Sequence, residues 1–201
     1  MSHNLIVIGG KAPNKFSCEG KGYDKIICAD SGYDTAISLG LVPTCVVGDL
    51  DSTNLRRELE EKGIKACSHD KDETDTELAL QKLFAEDSYD LIGGGGGRID
   101  HVLAIFALFN KYNPPKTWFT EAETMHLIGK EMREFDMKDV RSVSFIPVDL
   151  SKTAFVNSEG LVWELQNYEI SAHSLSISNR ANAQDVKLVS TEQVFCVINN
   201  E

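Results

Sequence analysis

Short apolar runs alternate with helical patterns along residues 1–122. Runs at 5–8, 25–30, 45–49, 64–67 and 89–94 are typical of strands that are buried on both faces. Helical spacing covers 34–39, 53–62, 74–84 and 100–112. The last of these segments is apolar on nearly every side, so we expect it to be largely buried. Strands that alternate with helices predict βαβ units in a mostly parallel sheet.

The pattern changes after Asn113, Pro114 and Pro115. One further strand, 117–120, completes the predicted parallel sheet. From Glu123 onward, short alternating strands are separated by turns and no long helix is indicated, which favours an antiparallel β-sandwich. We therefore predict an α/β domain at 1–122 and a β-sandwich domain at 123–201.

Composition and charge narrow the class of protein. The 201 residues carry a net charge of -11, and an acidic surface repels nucleic-acid phosphates, so we expect no nucleic-acid partner. No apolar run is long enough to span a bilayer, and the N-terminus does not resemble a signal peptide. The five cysteines lack metal-ligand spacing, which favours reduced thiols in a cytoplasmic protein.

Acidic residues follow the predicted strands. Asp30 follows the second strand, Asp49 and Asp51 follow the third, and a further acidic segment at 70–75 precedes a helix. The carboxyl ends of parallel strands meet at one edge of a sheet, where ligands bind. Such acids also cap helices and solvate loops. Three clusters on one edge nevertheless favour a site for a hard cation such as Mg²⁺.

A glycine run at 93–97 lies between a strand and a helix and is followed by Arg98. Glycine lets backbone N–H groups approach phosphates closely, and a helix N-terminus favours anions. The alternative is a flexible turn. Asp100 is compatible with a helix cap, with a contact to a polar substrate group or with orienting a hydroxyl, whereas His101 is expected to be a structural hydrogen-bond partner.

A polar segment, Ser176 to Asn179, lies in the second predicted domain. Alternating strand geometry places Ser176 and Ser178 on one face, where two hydroxyls and the Asn179 amide suit a heteroaromatic ring. Taken alone, the segment is more typical of a strand that enters a turn.

Together these blocks resemble the thiamine pyrophosphokinase family. The resemblance spans most of the chain, in the family's order, and is carried by Ala29-Asp30-Ser31-Gly32, Pro43, Gly48-Asp49-Leu50-Asp51-Ser52, Asp72-Glu73-Thr74-Asp75-Thr76-Glu77-Leu78-Ala79-Leu80, the glycine run with Arg98-Ile99-Asp100-His101, and Ser176-Ile177-Ser178-Asn179.

The resemblance implies an ATP-dependent diphosphotransferase, a homodimer with each active site between subunits. It implies transfer of pyrophosphate from Mg-ATP to the hydroxyl of thiamine, giving thiamine diphosphate and AMP. By the same resemblance, the metal-facing and catalytic carboxylates are Asp49, Asp51 and Asp75. The nucleotide side comprises Asp30, Gly94, Gly95, Gly96, Gly97 and Arg98. The thiamine side comprises Asp100, also placed among the catalytic residues, with Ser176, Ser178 and Asn179.

The chain departs from the family pattern at two places. Ser31 stands where the family commonly has glycine, and Arg180 and Ala181 stand where it often has an aromatic residue. Trp163 is an alternative stacking partner for the pyrimidine, although a core position is its expected place. Asp75 and Asp100 are both candidates to accept the alcohol proton.

Two other functions fit the same residues. One is a kinase or pyrophosphokinase for another heterocyclic alcohol, such as a pterin. The other is a non-catalytic regulator that binds a nucleotide or thiamine.

Overall fold

The structure, a computed structural model, describes residues 1–61 and 72–199, apart from the side chains at positions 58 and 60. It divides the chain into two compact units, Met1–Glu121 and Ala122–Glu201. The predicted strand at 64–67 and the acid Asp70 lie outside the described residues.

The first unit contains a parallel five-stranded sheet with the order β5-β4-β1-β2-β3. The strands are β1 His3–Val7, β2 Lys25–Ala29, β3 Cys45–Val47, β4 Ser88–Ile92 and β5 Thr117–Phe119. The central strand β1 is flanked by β2 and β4, so its carboxyl end lies between the loops that follow those two strands. Its last residues, Leu5 to Val7, are fully buried, as strands covered on both faces require.

Four helices are described in this unit: α1 Gly32–Ser38, α2 Arg56–Glu61, α3 Asp75–Leu80 and α4 Ile99–Lys111. The predicted helix at 53–62 begins only at Arg56. The predicted helix at 74–84 ends at Leu80, and its start is fixed by Thr74, whose hydroxyl accepts a hydrogen bond from the Glu77 N–H.

The prediction that α4 is largely buried is wrong. Ile105 and Phe109 are buried, and Phe109 packs edge-on against Trp118 with ring centroids 5.5 Å apart. On the other side of the helix, Ile99 and Leu103 are 71% and 61% exposed. The helix therefore has one face on the sheet and an apolar face that the described part of this chain leaves open.

The second unit is a sandwich of two antiparallel four-stranded sheets, ordered β11-β8-β13-β6 and β10-β9-β12-β7. Its strands are β6 Glu123–Ile128, β7 Arg133–Asp136, β8 Ser142–Pro147, β9 Ala154–Glu159, β10 Tyr168–Ile170, β11 Ser176–Asn179, β12 Asp185–Ser190 and β13 Val194–Asn199. Alternate residues such as Val143, Phe145, Val186 and Leu188 point into one core between the sheets.

The predicted fold class, an α/β unit followed by an antiparallel β-sandwich, is confirmed. No helix in the described ranges is both long and apolar enough to cross a membrane.

Candidate active site

Three carboxylates meet at the carboxyl edge of the parallel sheet. Asp30 follows β2, and Asp49 and Asp51 lie in the loop after β3. Each offers an oxygen, and these oxygens all lie within 4.8 Å of one another. The loop after β3 turns sharply because Gly48 and Leu50 have positive φ angles of 125° and 58°. This turn lets two acids that are two residues apart face the same space.

Asp30 is the buried member of this group, with 8% of its surface exposed. Its N–H donates to the Val47 carbonyl, and its carboxylate accepts a hydrogen bond from the Ser52 N–H at 3.4 Å. Burial raises the pKa of Asp30 above its ordinary value, hydrogen bonds from Ser31 and Ser52 oppose the rise, and the charge of Asp75 adds to it. A cation bound among these carboxylates would offset the repulsion between their negative charges.

Asp75 lines the same cleft but is not in the group of three. It is the first residue of α3, and its Oδ1 lies 3.0 Å from the position that a Cβ on Gly48 would occupy. The close group of three therefore contains Asp30 and not Asp75, and the assignment of Asp49, Asp51 and Asp75 to the metal stays a prediction.

The glycine run closes the other side of the cleft, but most of its N–H groups are already used. Gly93 donates to the Phe119 carbonyl at 2.9 Å, Gly94 to Gly9 at 2.8 Å, and Gly95 to Lys11 at 3.1 Å. The N–H groups of Gly96 and Gly97 make no such bond within the described part of the chain. Any phosphate donors in the run are therefore confined to its second half.

Packing explains why glycine is needed at several of these positions. A Cβ at Gly93 would lie 2.3 Å from the Ile8 carbonyl oxygen, and one at Gly94 would lie 2.9 Å from Ile105. Both residues also have positive φ angles, of 103° and 76°. The turn itself therefore requires glycine at both positions, whether or not a phosphate binds there. At Gly97 a Cβ would make only an ordinary contact, 3.8 Å from the Gly95 carbonyl oxygen.

Arg98 and Asp100 form an ion pair at the start of α4. The Arg98 Nε and Nη2 donate to the two oxygens of Asp100 at 3.1 and 2.5 Å. This pairing raises the pKa of Arg98 and lowers the pKa of Asp100. Arg98, rather than Asp100, is the N-cap residue of α4. A ligand that binds either side chain competes with the other.

These groups surround one cleft of about 590 Å³ in the first unit. Its polar lining comprises Asp30, Ser31, Asp49, Asp51, Ser52, Thr74, Asp75, Thr76, Arg98, Asp100 and His101, with backbone from Gly9, Gly10, Gly94, Gly95 and Gly97. Of the residues that the sequence assigned to the metal and nucleotide sides, all but Gly96 line this cleft.

The Ser176 to Asn179 segment of the second unit has a different geometry from the predicted one. Ser176 pairs with Phe145 and Asn179 with Val143, so β11 advances three residues while β8 advances two. This bulge, with a positive φ of 58° at Ser178, breaks the alternation that was expected to place both serines on one face. Ser178 is exposed, and its N–H donates to the Ser144 hydroxyl.

Asn179 is buried, and its side-chain amide makes hydrogen bonds to backbone groups. Its Nδ2 donates to the Trp163 carbonyl at 2.7 Å, and its Oδ1 accepts from the N–H groups of Trp163 and Arg180. Trp163 itself is 56% exposed, so the expectation of a core tryptophan is wrong. The Arg180 guanidinium lies 5.2 Å from the centre of its ring. Asn179 thus holds the backbone of Trp163, whose indole is accessible. The spacing of residues in the sequence does not reveal this role.

The two units match two domains of one family. Residues 20–118 match thiamin pyrophosphokinase, catalytic domain, and residues 132–195 match thiamin pyrophosphokinase, vitamin B1 binding domain. The chain belongs to the thiamin pyrophosphokinase family. The resemblance drawn from the sequence is confirmed, and as a thiamin pyrophosphokinase the chain is a diphosphotransferase of thiamine metabolism.

Solved structures of other thiamin pyrophosphokinases share its fold. The Bacillus subtilis enzyme is 21% identical, with a TM-score of 0.75 over 98% of this chain and 99% of that one. The Geobacillus thermodenitrificans enzyme is 23% identical, with a TM-score of 0.73 over 98% of each chain. The Candida albicans enzyme is 15% identical, with a TM-score of 0.72 over 99% of this chain and 90% of that one. Comparison with curated protein sequences gave no match.

Proposed function

We propose that this thiamin pyrophosphokinase transfers pyrophosphate from Mg-ATP to the hydroxyl of thiamine and releases AMP. The observation that carries the proposal is the convergence of Asp30, Asp49 and Asp51 within 4.8 Å, in the cleft that the glycine run borders. Membership of the family favours thiamine over another heterocyclic alcohol, and favours catalysis over a regulatory protein that only binds.

The carboxylate group fits a hard divalent cation. Mg²⁺ prefers oxygen ligands and usually takes one or two carboxylates together with substrate phosphates. Asp49 and Asp51 would hold the ion, and Asp30 would complete the site from its buried position. Asp75, beside Gly48, adds negative charge close to Asp30. When bound, Mg²⁺ would offset negative charge on the phosphate oxygens.

The glycine run and the start of α4 form the phosphate side of the proposed site. The N–H group of Gly97, which lines the cleft and makes no backbone hydrogen bond within the described residues, supports anion binding, and the N-terminus of the thirteen-residue helix α4 favours negative charge. The Arg98 guanidinium presents several donors in a fixed plane and can bind phosphate with those that Asp100 leaves. In-line displacement at the β-phosphorus depends mainly on such positioning.

Asp75 is the better of the two proposed proton acceptors. The ion pair with Arg98 lowers the pKa of Asp100, and a carboxylate with a lowered pKa accepts a proton less readily. Asp75 lies beside the acid group, at the start of α3. Asp100 then acts by holding Arg98 and, in the proposal, by contacting thiamine.

The second unit supplies the thiamine side. Trp163 presents an exposed ring that suits stacking on an aminopyrimidine, and the exposed Ser178 hydroxyl is a proposed polar contact, with Ser176 half-buried beside it. Asn179 acts indirectly, since its amide holds the Trp163 backbone. This division of labour makes the first unit the nucleotide- and metal-binding domain and the second the substrate domain.

A homodimer with the active site between subunits is also part of the proposal. Taken by itself, the first unit exposes Ile99 and Leu103 on α4, and the second exposes Trp163 and Ile177. Apolar patches of this kind mark interaction surfaces, and identical chains most often assemble with twofold symmetry. A cytoplasmic location is proposed as well, because Cys18, Cys28, Cys45 and Cys196 are free thiols.

Product analysis tests the reaction. Purified protein is incubated with thiamine, ATP and MgCl₂, and the products are identified by mass spectrometry. We expect thiamine diphosphate and AMP in equal amounts. Thiamine monophosphate with ADP would contradict pyrophosphate transfer, and turnover of a pterin but not of thiamine would contradict the substrate.

A further inference from the structure

The cleft lacks positive charge for a triphosphate. Among the described residues that line it are five carboxylates, Asp30, Asp49, Asp51, Asp75 and Asp100, but a single guanidinium, Arg98, which is already paired with Asp100. Nucleotide phosphates are strongly negative, so a metal ion alone leaves a large repulsion to offset. Because negative charge is in excess in the cleft, we expect a further cation close to the glycine run.

Lys11 lies beside the glycine run and is fixed to it by its backbone. Its N–H donates to the Gly95 carbonyl at 2.8 Å, and its carbonyl accepts from the Gly95 N–H at 3.1 Å. Gly10, the preceding residue, and Gly95 both line the cleft. This two-way bond fixes the Lys11 backbone next to Gly95, a residue of the cleft wall.

The aliphatic part of the Lys11 side chain crosses Gly96. A Cβ built on Gly96 would lie 2.1 Å from the Lys11 Cδ and 2.6 Å from its Cγ. Because Gly96 has no side chain, the Lys11 stem can lie on it. The stem is thus held next to Gly97, which lines the cleft and whose N–H group is proposed to face phosphate.

The Lys11 ammonium group pairs with the carboxylate of Glu121 at 2.9 Å. The two side chains are 58% and 40% exposed, and an ion pair so accessible to water is weak. A lysine head group moves on a flexible stem, so it can exchange one anionic partner for another.

We propose that Lys11 is a second phosphate-binding cation, which leaves Glu121 and binds the nucleotide phosphates beside Gly97. The inference rests on the proposed use of ATP. Glu121 competes with the nucleotide for Lys11 and so lowers nucleotide affinity in the wild-type protein.

Two substitutions that break the same ion pair distinguish this role from a structural one. Lys11→Met keeps the stem on Gly96 but removes the charge, and we expect the KM for ATP to rise about tenfold while the KM for thiamine is unchanged. Glu121→Gln releases Lys11, and we expect the KM for ATP to fall. Lys11→Arg should restore most of the ATP affinity.

The Lys152–Glu192 pair is a matched control, because its exposed fractions are 57% and 38% and its N–O distance is 3.4 Å. Lys152→Met and Glu192→Gln should leave both KM values unchanged. If Lys11→Met and Glu121→Gln raise the KM for ATP alike, or if Lys11→Met leaves it unchanged, the phosphate-binding role is overturned. Direct calorimetry of Mg-ATP with the wild type separates the two proposals: no binding there contradicts the proposed function itself.

Discussion

Gly48 lies so close to Asp75 that a Cβ on Gly48 would be 3.0 Å from the Asp75 Oδ1. The same Cβ would be 3.2 Å from the Cβ of Asp30. The glycine therefore occupies the gap between two acids that are far apart in the sequence, and its φ of 125° is one that other residues rarely adopt. The spacing of the acids depends on the absence of a side chain here.

Substitution of Gly48 by alanine should disrupt the site. We expect Gly48→Ala to lower the free energy of unfolding by about 1–3 kcal/mol and to remove most of the activity, since Asp30 and Asp75 must move apart. Gly40→Ala is the control, because Gly40 also has a positive φ, of 72°, but no atom within 4 Å of its Cβ position. It should cost about 1 kcal/mol and retain activity. Equal activity in the two variants would contradict the spacing argument.

Asp30 should make the metal-free protein less stable as the pH rises. Burial raises its pKa in the folded state, so its stabilising contribution is complete below the unfolded pKa and is lost as the pH rises through the folded pKa. Asp30→Asn removes this loss. We expect the variant to be more stable than the wild type at neutral pH without metal, in chemical denaturation, and to have little activity.

Added Mg²⁺ should make the wild type more stable than Asp30→Asn. A ligand that binds the folded state raises the melting temperature, so MgCl₂ should stabilise the wild type more than Asp30→Asn. An equal increase in both proteins would place the cation elsewhere.

Substitutions of Trp163 and Asn179 should have different effects on thiamine binding and on stability. Because its side chain is 56% exposed, Trp163→Ala should change the free energy of unfolding by less than about 1 kcal/mol but raise the KM for thiamine about tenfold. Asn179→Ala leaves partly buried backbone groups of Trp163 without these partners and should lower the free energy of unfolding by about 1–3 kcal/mol. Thermal melts and thiamine kinetics measure both. A large stability loss in Trp163→Ala would show that the indole is structural.

Two substitutions at Ser178 distinguish its hydroxyl from its backbone. Its φ of 58° favours glycine, so serine and alanine are about equally strained there, by about 1 kcal/mol, and Ser178→Gly relieves that strain. If the hydroxyl contacts thiamine, both variants should raise the KM for thiamine, with little change in the KM for ATP. A change in the glycine variant alone would assign the effect to the backbone rather than to the hydroxyl.

The sequence predicts much of the first unit because parallel strands must be connected by helices, which produces a regular alternation along the chain. Strands, helices and turns alternate clearly, and acids that follow strands must share one edge of the sheet. Asp30, Asp49 and Asp51 converge there as that argument requires. The choice of Asp30 over Asp75 as the third member depends on the turn at Gly48 and the burial of Asp30, which residue type alone does not specify.

Other features depend on contacts between residues that are distant in the sequence, and local sequence patterns do not predict such contacts. The helix α4 is apolar all round, which is typical of a buried helix, yet Leu103 is 61% exposed. The N–H groups of Gly94 and Gly95 are used by the Gly9 and Lys11 backbone, which is distant in sequence. The bulge before Asn179 likewise arises from pairing with β8.

The dependence of turnover on Mg²⁺ in Asp49→Asn and Asp51→Asn tests the central claim most directly. Initial rates of thiamine diphosphate formation are measured across a MgCl₂ titration, with circular dichroism to confirm folding. We predict that both variants fold as the wild type does and that neither reaches a measurable rate at any Mg²⁺ concentration. A wild-type rate with an unchanged Mg²⁺ requirement in either variant would contradict a shared cation among Asp30, Asp49 and Asp51.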